Sequence, residues 1–410
     1  MKVLYVVGTC LTRNTSANMS HNGYVQGLLE NGCDVDILMA KSSWGAEDRG
    51  LHVWKEASYY VYDSLNFKSK IQRRFTHAGR IQKTITSPNL TIEATTHIEA
   101  RSSLKLSLRK IAKKIFYIIF PDDPLYPLEK VWLQNAVTFK GKKHYDLIVS
   151  NSSPAASHRL VEELIKRKHI SYTRWIQIWE DPWFFDLYGE HGNNIKNEEH
   201  RLLQVASEVY YVSPLTLHYQ KQLFPDCACK FKYVPLPALR FEEELKETNP
   251  NSIIFGYFGD YYQVTRNLQP FYDALVARGE KGYIYGDTDL NLRSTEKIIV
   301  KGRVTLDVLA DVQANTDVLV HLCNLKGGQI PGKIYHYSVT KKPILFILDG
   351  TEEEIRLLKE HFAKYNRYVF CENNRQSIMD AMGIIKTDLA SIHYNLVEDF
   401  IPKQVVKKIL

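Results

Sequence analysis

Short β-branched runs alternate along the chain with stretches in which apolar residues return every three or four positions, the pattern of strands alternating with amphipathic helices. Val3 to Val7 is such a run and stops at Gly8. Tyr24, Val25, Leu28 and Leu29 then share one side of a helix closed by Gly32, and Asp34 to Met39 predicts the next strand. The same βαβ pattern starts afresh with Ser252 to Tyr257 running into Gly259, a helix over Leu268 to Ala277 and a strand over Tyr283 to Tyr285. Further strands are predicted at Asp146 to Ser150, from near Tyr172, at Val318 to Leu322, at Pro343 to Ile347 and at Tyr368 to Phe370.

Alternation of this kind builds parallel sheets with helices on both faces, and both halves read as doubly wound. At 410 residues the chain exceeds one ordinary core and fits two domains of roughly 200 residues each. The seam is predicted near Tyr233-Val234-Pro235-Leu236-Pro237 and the charged run Arg240 to Glu247, giving a first domain over 1–237 and a second from 238. Two open parallel sheets facing each other leave a cleft at their strand carboxyl ends, where ligands of such folds bind.

A content of 44% hydrophobic and 24% charged residues excludes disordered and collagen-like classes. The net charge of +7 suits phosphates or an anionic membrane without requiring either. The six cysteines are scattered, and Cys227 and Cys229 stand too close for the usual zinc pair, so neither a disulfide scaffold nor a zinc site is expected. Met1 to Val7 lacks the length and cleavage site of a signal peptide, and no apolar run reaches the roughly 18 residues of a membrane span. The expectation is a cytoplasmic protein, peripheral at most to the inner face of a membrane.

The candidate chemistry concentrates in Gly327-Gly328-Gln329-Ile330-Pro331-Gly332-Lys333 with Tyr335, His336 and Tyr337 behind it. A glycine-rich loop opening onto a helix with Pro331 in its first position presents free backbone amides and the positive end of the helix dipole to an anion. Lys333, His336 and Tyr337 lie three and four positions apart and share one helix face. Arg266, after Gly259-Asp260-Tyr261-Tyr262, belongs to the loop of the first strand in the same half and should reach the same cleft edge. Two cations and helix-end amides can neutralise a diphosphate leaving group without a metal. In the first half, Trp179-Glu180-Asp181-Pro182-Trp183 places carboxylates between aromatic rings, a sugar-binding combination whose plain alternative is a capping turn with buried tryptophans. His158, in the helix after Ser152-Ser153-Pro154, is a lone histidine at a neighbouring strand end. Asp34-Val35-Asp36 and Asp287-Thr288-Asp289 are read as chance pairs, and no metal is assigned.

These pieces, in this order, resemble a GT-B glycosyltransferase, close to the family 4 enzymes that build bacterial surface polysaccharides. The resemblance rests on Pro121-Asp122 ahead of Trp132, on Tyr145-Asp146-Leu147-Ile148 with Ser153-Pro154 and Ser157-His158, on Asp181-Pro182-Trp183, and on Ile330 to Tyr335 with Tyr337 and Lys342-Pro343. It implies two Rossmann-like domains facing across a cleft, with acceptor on 1–237, a nucleotide-diphosphate sugar on 238–388, and a final helix over 389–410 crossing back to the first domain. It also implies retention of anomeric configuration, with the departing diphosphate oxygen helping to deprotonate the incoming hydroxyl. The implied donor contacts are Gly8, Gly259, Arg266, Ile330, Pro331, Lys333, His336 and Tyr337; the acceptor contacts are His158, Glu180, Asp181 and Trp183; the catalytic set is Glu180, Asp181, Arg266 and Lys333. The acceptor is a hydroxyl of a lipid-linked or growing glycan, the transferred unit a hexose or N-acetylhexosamine, and no cofactor is needed. Family members commonly carry two acids eight positions apart where this chain has Gly328 and His336. A carboxylate accepts from both ribose hydroxyls, a neutral imidazole from one.

That departure keeps two other readings open, a non-catalytic GT-B subunit that binds glycan or nucleotide and a nucleotide-sugar epimerase. A dinucleotide-dependent dehydrogenase is disfavoured, because Gly8-Thr9-Cys10-Leu11-Thr12 lacks its glycine spacing. Leu104, Leu108, Ile111, Ile115 and Ile118 form an apolar stripe over 104–120 with Lys105, Arg109, Lys110, Lys113 and Lys114 around it, and Arg73, Arg74, Arg80 and Lys83 lie upstream. This is the pattern of a basic helix lying on an anionic membrane, or of one packing its stripe on the first domain. No nucleic-acid reading motif accompanies the charge. In sedimentation with anionic liposomes the wild-type protein should pellet and a Lys113→Glu, Lys114→Glu variant should stay in the supernatant; wild type left in the supernatant refutes membrane attachment.

Overall fold

The computed structural model describes residues 1–12, 15–41, 53–64, 125–187, 192–239, 252–388 and 395–410. The basic stripe 104–120, its upstream arginines, Pro121-Asp122 and the charged run from Arg240 fall outside them. Among the described residues no helix is long and apolar enough to cross a membrane.

The first half forms a parallel sheet of seven strands, β1 (Lys2–Val7), β2 (Asp34–Ala40), β3 (Ser58–Tyr62), β4 (His144–Asn151), β5 (Ser171–Trp179), β6 (Glu208–Tyr211) and β7 (Phe231–Tyr233), in the spatial order 3-2-1-4-5-6-7. The second half repeats the winding with β8 (Ile254–Phe258), β9 (Lys281–Tyr285), β10 (Ile298–Lys301), β11 (Val318–Leu322), β12 (Ile344–Leu348) and β13 (Tyr368–Glu372), in the order 10-9-8-11-12-13. In each sheet the order reverses beside its first strand, between β1 and β4 and between β8 and β11. Those crevices are where ligands of doubly wound sheets sit. In register, Val7 lies opposite Asn151 and Asn151 opposite Ile178, so Gly8, Ser152 and Trp179 share one level and Glu180 follows one residue on. Phe258 lies opposite Tyr285 and brings Gly259 to the matching edge of the second.

Both faces of each sheet are covered, so alternate side chains enter different cores. Val3, Tyr5 and Val7 join one apolar cluster while Leu4 and Val6 join another. Ile344, Phe346 and Leu348 point one way and Leu345 and Ile347 the other. The helices are α1 (Ser16–Glu30), α2 (Lys130–Ala136), α3 (Ala156–Lys166), α4 (Asn193–Val205), α5 (Pro214–Leu223), α6 (Gln269–Arg278), α7 (Leu306–Ala314), α8 (Lys333–Ser338), α9 (Glu352–Ala363), α10 (Arg375–Asp388) and α11 (Pro402–Lys407). Several starts follow local chemistry: the Thr15 hydroxyl accepts from Asn18 N, the Ser213 hydroxyl from Leu215 N and Thr216 N ahead of Pro214, and Thr351 with Glu354 closes a capping box.

The cluster that holds Tyr24 and Leu28 also holds Phe258, Ile334, Phe346, Phe362, Phe400 and Val405, so one apolar body runs from α1 through the second sheet to the last residues. The described part of 389–410 is not a single helix. Val397 N donates to Ser338 O, a 3-10 turn spans Glu398–Phe400, and α11 begins at Pro402, a residue that fits only the first turn of a helix. This tail lies along α1: Asn31 Nδ2 donates to Lys403 O at 2.9 Å, and Arg174 donates to the carbonyls of Ile409 and Leu410 at 2.6 and 3.0 Å.

Gly27 makes the α1 contact possible, since a Cβ there would stand 2.3 Å from Pro402 O and 2.7 Å from its carbonyl carbon. In a free helix Gly→Ala gains about 1 kcal/mol. Here the backbone clash outweighs that gain, and Gly27→Ala should destabilise by about 1–2 kcal/mol in urea unfolding. A stabilised variant would show that the tail does not rest on α1.

Candidate functional site

Lys333, at the start of α8, sends its ammonium across to the end of β8, where it donates to the Phe258 carbonyl beside Gly259. Burial depresses its pKa to about 8, Asp260 opposes the shift, and the charges of Arg266 and Arg303 add to it. Arg266 bonds the Tyr257 hydroxyl and, after burial, helps hold His321 to a pKa of about 3. Three cations therefore converge on the Gly259 turn. Arg303 follows β10 and is held by an ion pair with Asp260, whose carboxyl it keeps below the usual range.

The loop before α8 differs from expectation in one respect. The helix begins at Lys333 with Gly332 as its N-cap, so Pro331 precedes the helix and is not its first residue. Gly332 already has helical dihedrals, which is why the pattern reads as starting earlier. His336 is inward-facing, its pKa lowered to about 4 by burial and by Lys333, and its Nδ1 has no hydrogen-bond partner among the described residues. Tyr337 is buried and its hydroxyl points to Phe258 O at 3.5 Å, so it supports the strand end. Ile330 and Pro331 are partly exposed along the loop.

Across the cleft, Glu180 leaves β5 with its Oε1 3.4 Å from His21 Nδ1. Burial, and then the neighbouring Asp181, push the Glu180 carboxyl well above its ordinary range. His21 belongs to α1. Its Nδ1 lies 3.1 Å from the Tyr5 hydroxyl, which accepts from Asn151 Nδ2 at 2.8 Å, so residues of β1, β4 and α1 fix this corner. Asp181 is exposed to solvent, yet the protein crowded around its carboxyl raises it to about 6 against the lowering effect of Gln329.

His158 and Trp183 are placed differently from the two acids. His158 is fully buried, bonded through Nδ1 to Ser150 Oγ at 2.8 Å and laid on Trp179 with ring centroids 4.3 Å apart. Trp183 packs on Tyr126 at 5.3 Å. Gly8 donates its N–H to Ser157 Oγ at 2.9 Å and faces Pro154. The structure thus brings Arg266, Lys333, His336 and Gly259 together on one lip and Glu180 with Asp181 on the other, while His158 and Trp183 belong to the packing behind.

Sequence reasoning passed over Arg303, His21 and Gln329. Arg303 follows an edge strand that was not read. His21 stands on α1 beside buried Asn18, Ser20 and Asn22, a polar set on an inward face that was read only through its apolar members. Gln329 joins the two halves: its Nε2 donates to Asp181 Oδ1 at 2.5 Å and its Oε1 accepts from Leu187 N at 2.9 Å. Next to it, Ser213 and Thr216 at the start of α5 both donate to Gly328 O, at 2.8 and 2.6 Å. Gly328 allows that approach, because a Cβ would meet Tyr219 at 2.9 Å and the Thr216 backbone at 3.3 Å.

Two Rossmann-like domains of parallel strands facing across such a cleft define the GT-B fold. Among solved structures the chain is similar to HepE of Anabaena in complex with UDP, with 11% identity, 100% of this chain and 98% of that one covered, and a TM-score of 0.53. It is similar to a glycosyltransferase from Rickettsia africae, with 12% identity, 100% and 96% covered and a TM-score of 0.52. A third neighbour is the lipopolysaccharide outer core galactosyltransferase WaaB, with 12% identity, 100% and 98% covered and a TM-score of 0.51. At such identities the likeness is one of architecture. No protein-family model matches the chain. Among curated proteins, 74 residues, 18% of the chain, are 40% identical to the alanine–tRNA ligase of Orientia tsutsugamushi, and the chain spans only 8% of that relative's length.

Replacing Gln329 by Ala removes the hydrogen bonds that tie Leu187 N and the Asp181 carboxylate to the loop before α8. Urea unfolding should show a loss of about 1–3 kcal/mol. A variant as stable as the wild type would mean that Gln329 does not hold the halves together.

Proposed function

We propose that the protein is a glycosyltransferase that moves a sugar from a nucleotide-diphosphate sugar to a hydroxyl of a glycan or lipid-linked acceptor, in the synthesis of a surface polysaccharide. The observation that carries this reading is the convergence of Lys333 and Arg266 at the Gly259 turn, opposite Glu180 and Asp181. A diphosphate spanning the two cations would satisfy charges that now repel each other, and it would stabilise the leaving group as its bond to the sugar breaks. His336 would meet the ribose with its free Nδ1, and Gly8 and Gly259 would let the donor approach the backbone. Glu180 and Asp181 would receive sugar or acceptor hydroxyls. Transfer would proceed with retention, the departing phosphate oxygen taking the proton of the incoming hydroxyl on the same face, and it would need no metal. That HepE was solved with UDP, and that WaaB is named a galactosyltransferase, support the donor class.

A non-catalytic nucleotide-binding subunit is the second reading. It is favoured by the positions where Gly328 and His336 replace acids, and by the Gly328 carbonyl being committed to Ser213 and Thr216. Release of UDP from UDP-sugars in the presence of acceptor separates the two, since the subunit binds without turnover.

UDP is the probe for the cation pair. Calorimetry should show Lys333→Ala and Arg266→Ala each weakening it by about tenfold or more, and where turnover is found it should fall about 10²–10³-fold. The anion favours charged Lys333, whose free pKa is about 8, so above the range of about pH 6 where the terminal phosphate of UDP itself titrates, wild-type affinity should be flat to about pH 8 and decline beyond it, with the decline absent in Lys333→Ala. Unchanged UDP affinity in both variants refutes the assignment.

A further inference from the structure

A second constellation lies away from the cleft. β6 follows α4 and β7 follows the 3-10 turn Pro225–Lys230, so the second half of α4 and that turn meet at the amino-terminal edge of the first sheet, opposite the edge that faces the cleft. There His200, Asp226 and Cys227 each bring one donor atom, and the three atoms lie within 4.8 Å of one another. His200 Nε2 stands 2.8 Å from Asp226 Oδ2, and Cys227 Sγ stands 3.6 Å from the same oxygen.

The supports of these groups are already in place. The His200 ring stacks on Phe224 with centroids 5.1 Å apart and planes 12° from parallel. Gln204, one turn further along α4, donates to Asp226 Oδ2 at 3.3 Å. Lys230 ties the turn to the end of α4 by donating to the carbonyls of Gln204 and Ala206 at 2.6 and 3.0 Å. The site is preorganised and open on one side, since Cys227 is buried while the Asp226 side chain is 53% exposed.

The Cys227 sulfur, the Asp226 carboxylate and the His200 nitrogen already face one another, and a dication between them would attract both the carboxylate and a thiolate. Imidazole nitrogen, thiolate sulfur and carboxylate oxygen form a mixed set that suits zinc-like metals, whereas magnesium and calcium prefer oxygen alone.

We propose that His200, Asp226 and Cys227 bind a zinc-type divalent transition metal, with water at the open fourth position. On binding, the Cys227 S–H bond breaks, its proton passes to solvent and the sulfur lone pair forms the metal bond. The site pins α4 to the turn before β7 and takes no part in chemistry at the cleft. The spacing of Cys227 and Cys229 argued against a zinc pair, and the structure gives Cys227 a different partner from another helix.

Cobalt(II) chloride added to the full-length protein should raise a near-ultraviolet sulfur-to-cobalt charge-transfer band that zinc chloride removes. Zinc calorimetry in buffers of different ionisation enthalpy should report proton release on binding. Cys227→Ser should abolish the band, and His200→Gln, at a half-exposed position, should weaken zinc binding at least about tenfold. Cys229→Ser should bind as wild type. The absence of a band in the wild-type protein overturns the proposal, as does a band lost in Cys229→Ser and kept in Cys227→Ser.

Discussion

Holding Lys333 and Arg266 within each other's field, in a gap walled by protein, is electrostatically adverse, and the surroundings of the Gly259 turn are organised around that pair. Lys333 is lowered to a pKa of about 8 because burial and two neighbouring cations disfavour its charge, and Asp260 opposes the shift. Asp260 is itself committed to Arg303 and to Asp287 N, so it is not free to neutralise the pair fully. The positive excess is built into strand ends and is not a matter of flexible surface side chains. Such an excess in a low-dielectric crevice favours an anion that reaches both cations at once.

A cleft of this kind works only if its two lips keep their distance, and that distance is set by contacts that have no role in charge. The Gly328 carbonyl receives Ser213 and Thr216, Gln329 reaches Asp181 and Leu187, and the tail from Val397 onward crosses to α1. The loop that carries Lys333 is thus also the loop that docks on the first domain. The glycine at position 328 takes on a physical meaning in this light. The closeness of Tyr219 and the Thr216 backbone leaves no room for a carboxylate, so the position has been given to the junction.

Strands buried on both faces were legible in the sequence because continuous apolar runs such as Val3 to Val7 and Val318 to Leu322 admit few other readings. The edge strands β3 and β10 were not, since Ser58–Tyr62 and Ile298–Lys301 expose part of each face and carry mixed residues. Lys333 and Arg266 could be paired from their places after successive strand patterns. His21 could not, because its partner Glu180 lies on a strand far along the chain and only the register of β1, β4 and β5 brings them together. For the tryptophans of the Trp179 to Trp183 segment, left between two readings, the ring contacts favour the plainer one. Aromatic rings beside acids suggest a sugar platform, but Trp179 is closed off by His158 and Trp183 leans on Tyr126.

The two lips differ in kind. On the second domain burial works against positive charge and is overruled by geometry that keeps the cations in place. On the first, burial shifts Glu180 and Asp181 upward, toward the protonated form, Asp181 to about 6. A protonated carboxyl donates a hydrogen bond as well as accepting one, and an upward shift lessens the negative charge that faces the cations. Cationic groups and upward-shifted carboxyls are therefore segregated by domain. A ligand carrying a diphosphate at one end and a sugar at the other matches that division, and bound across the cleft it would relieve the repulsion within the cation pair.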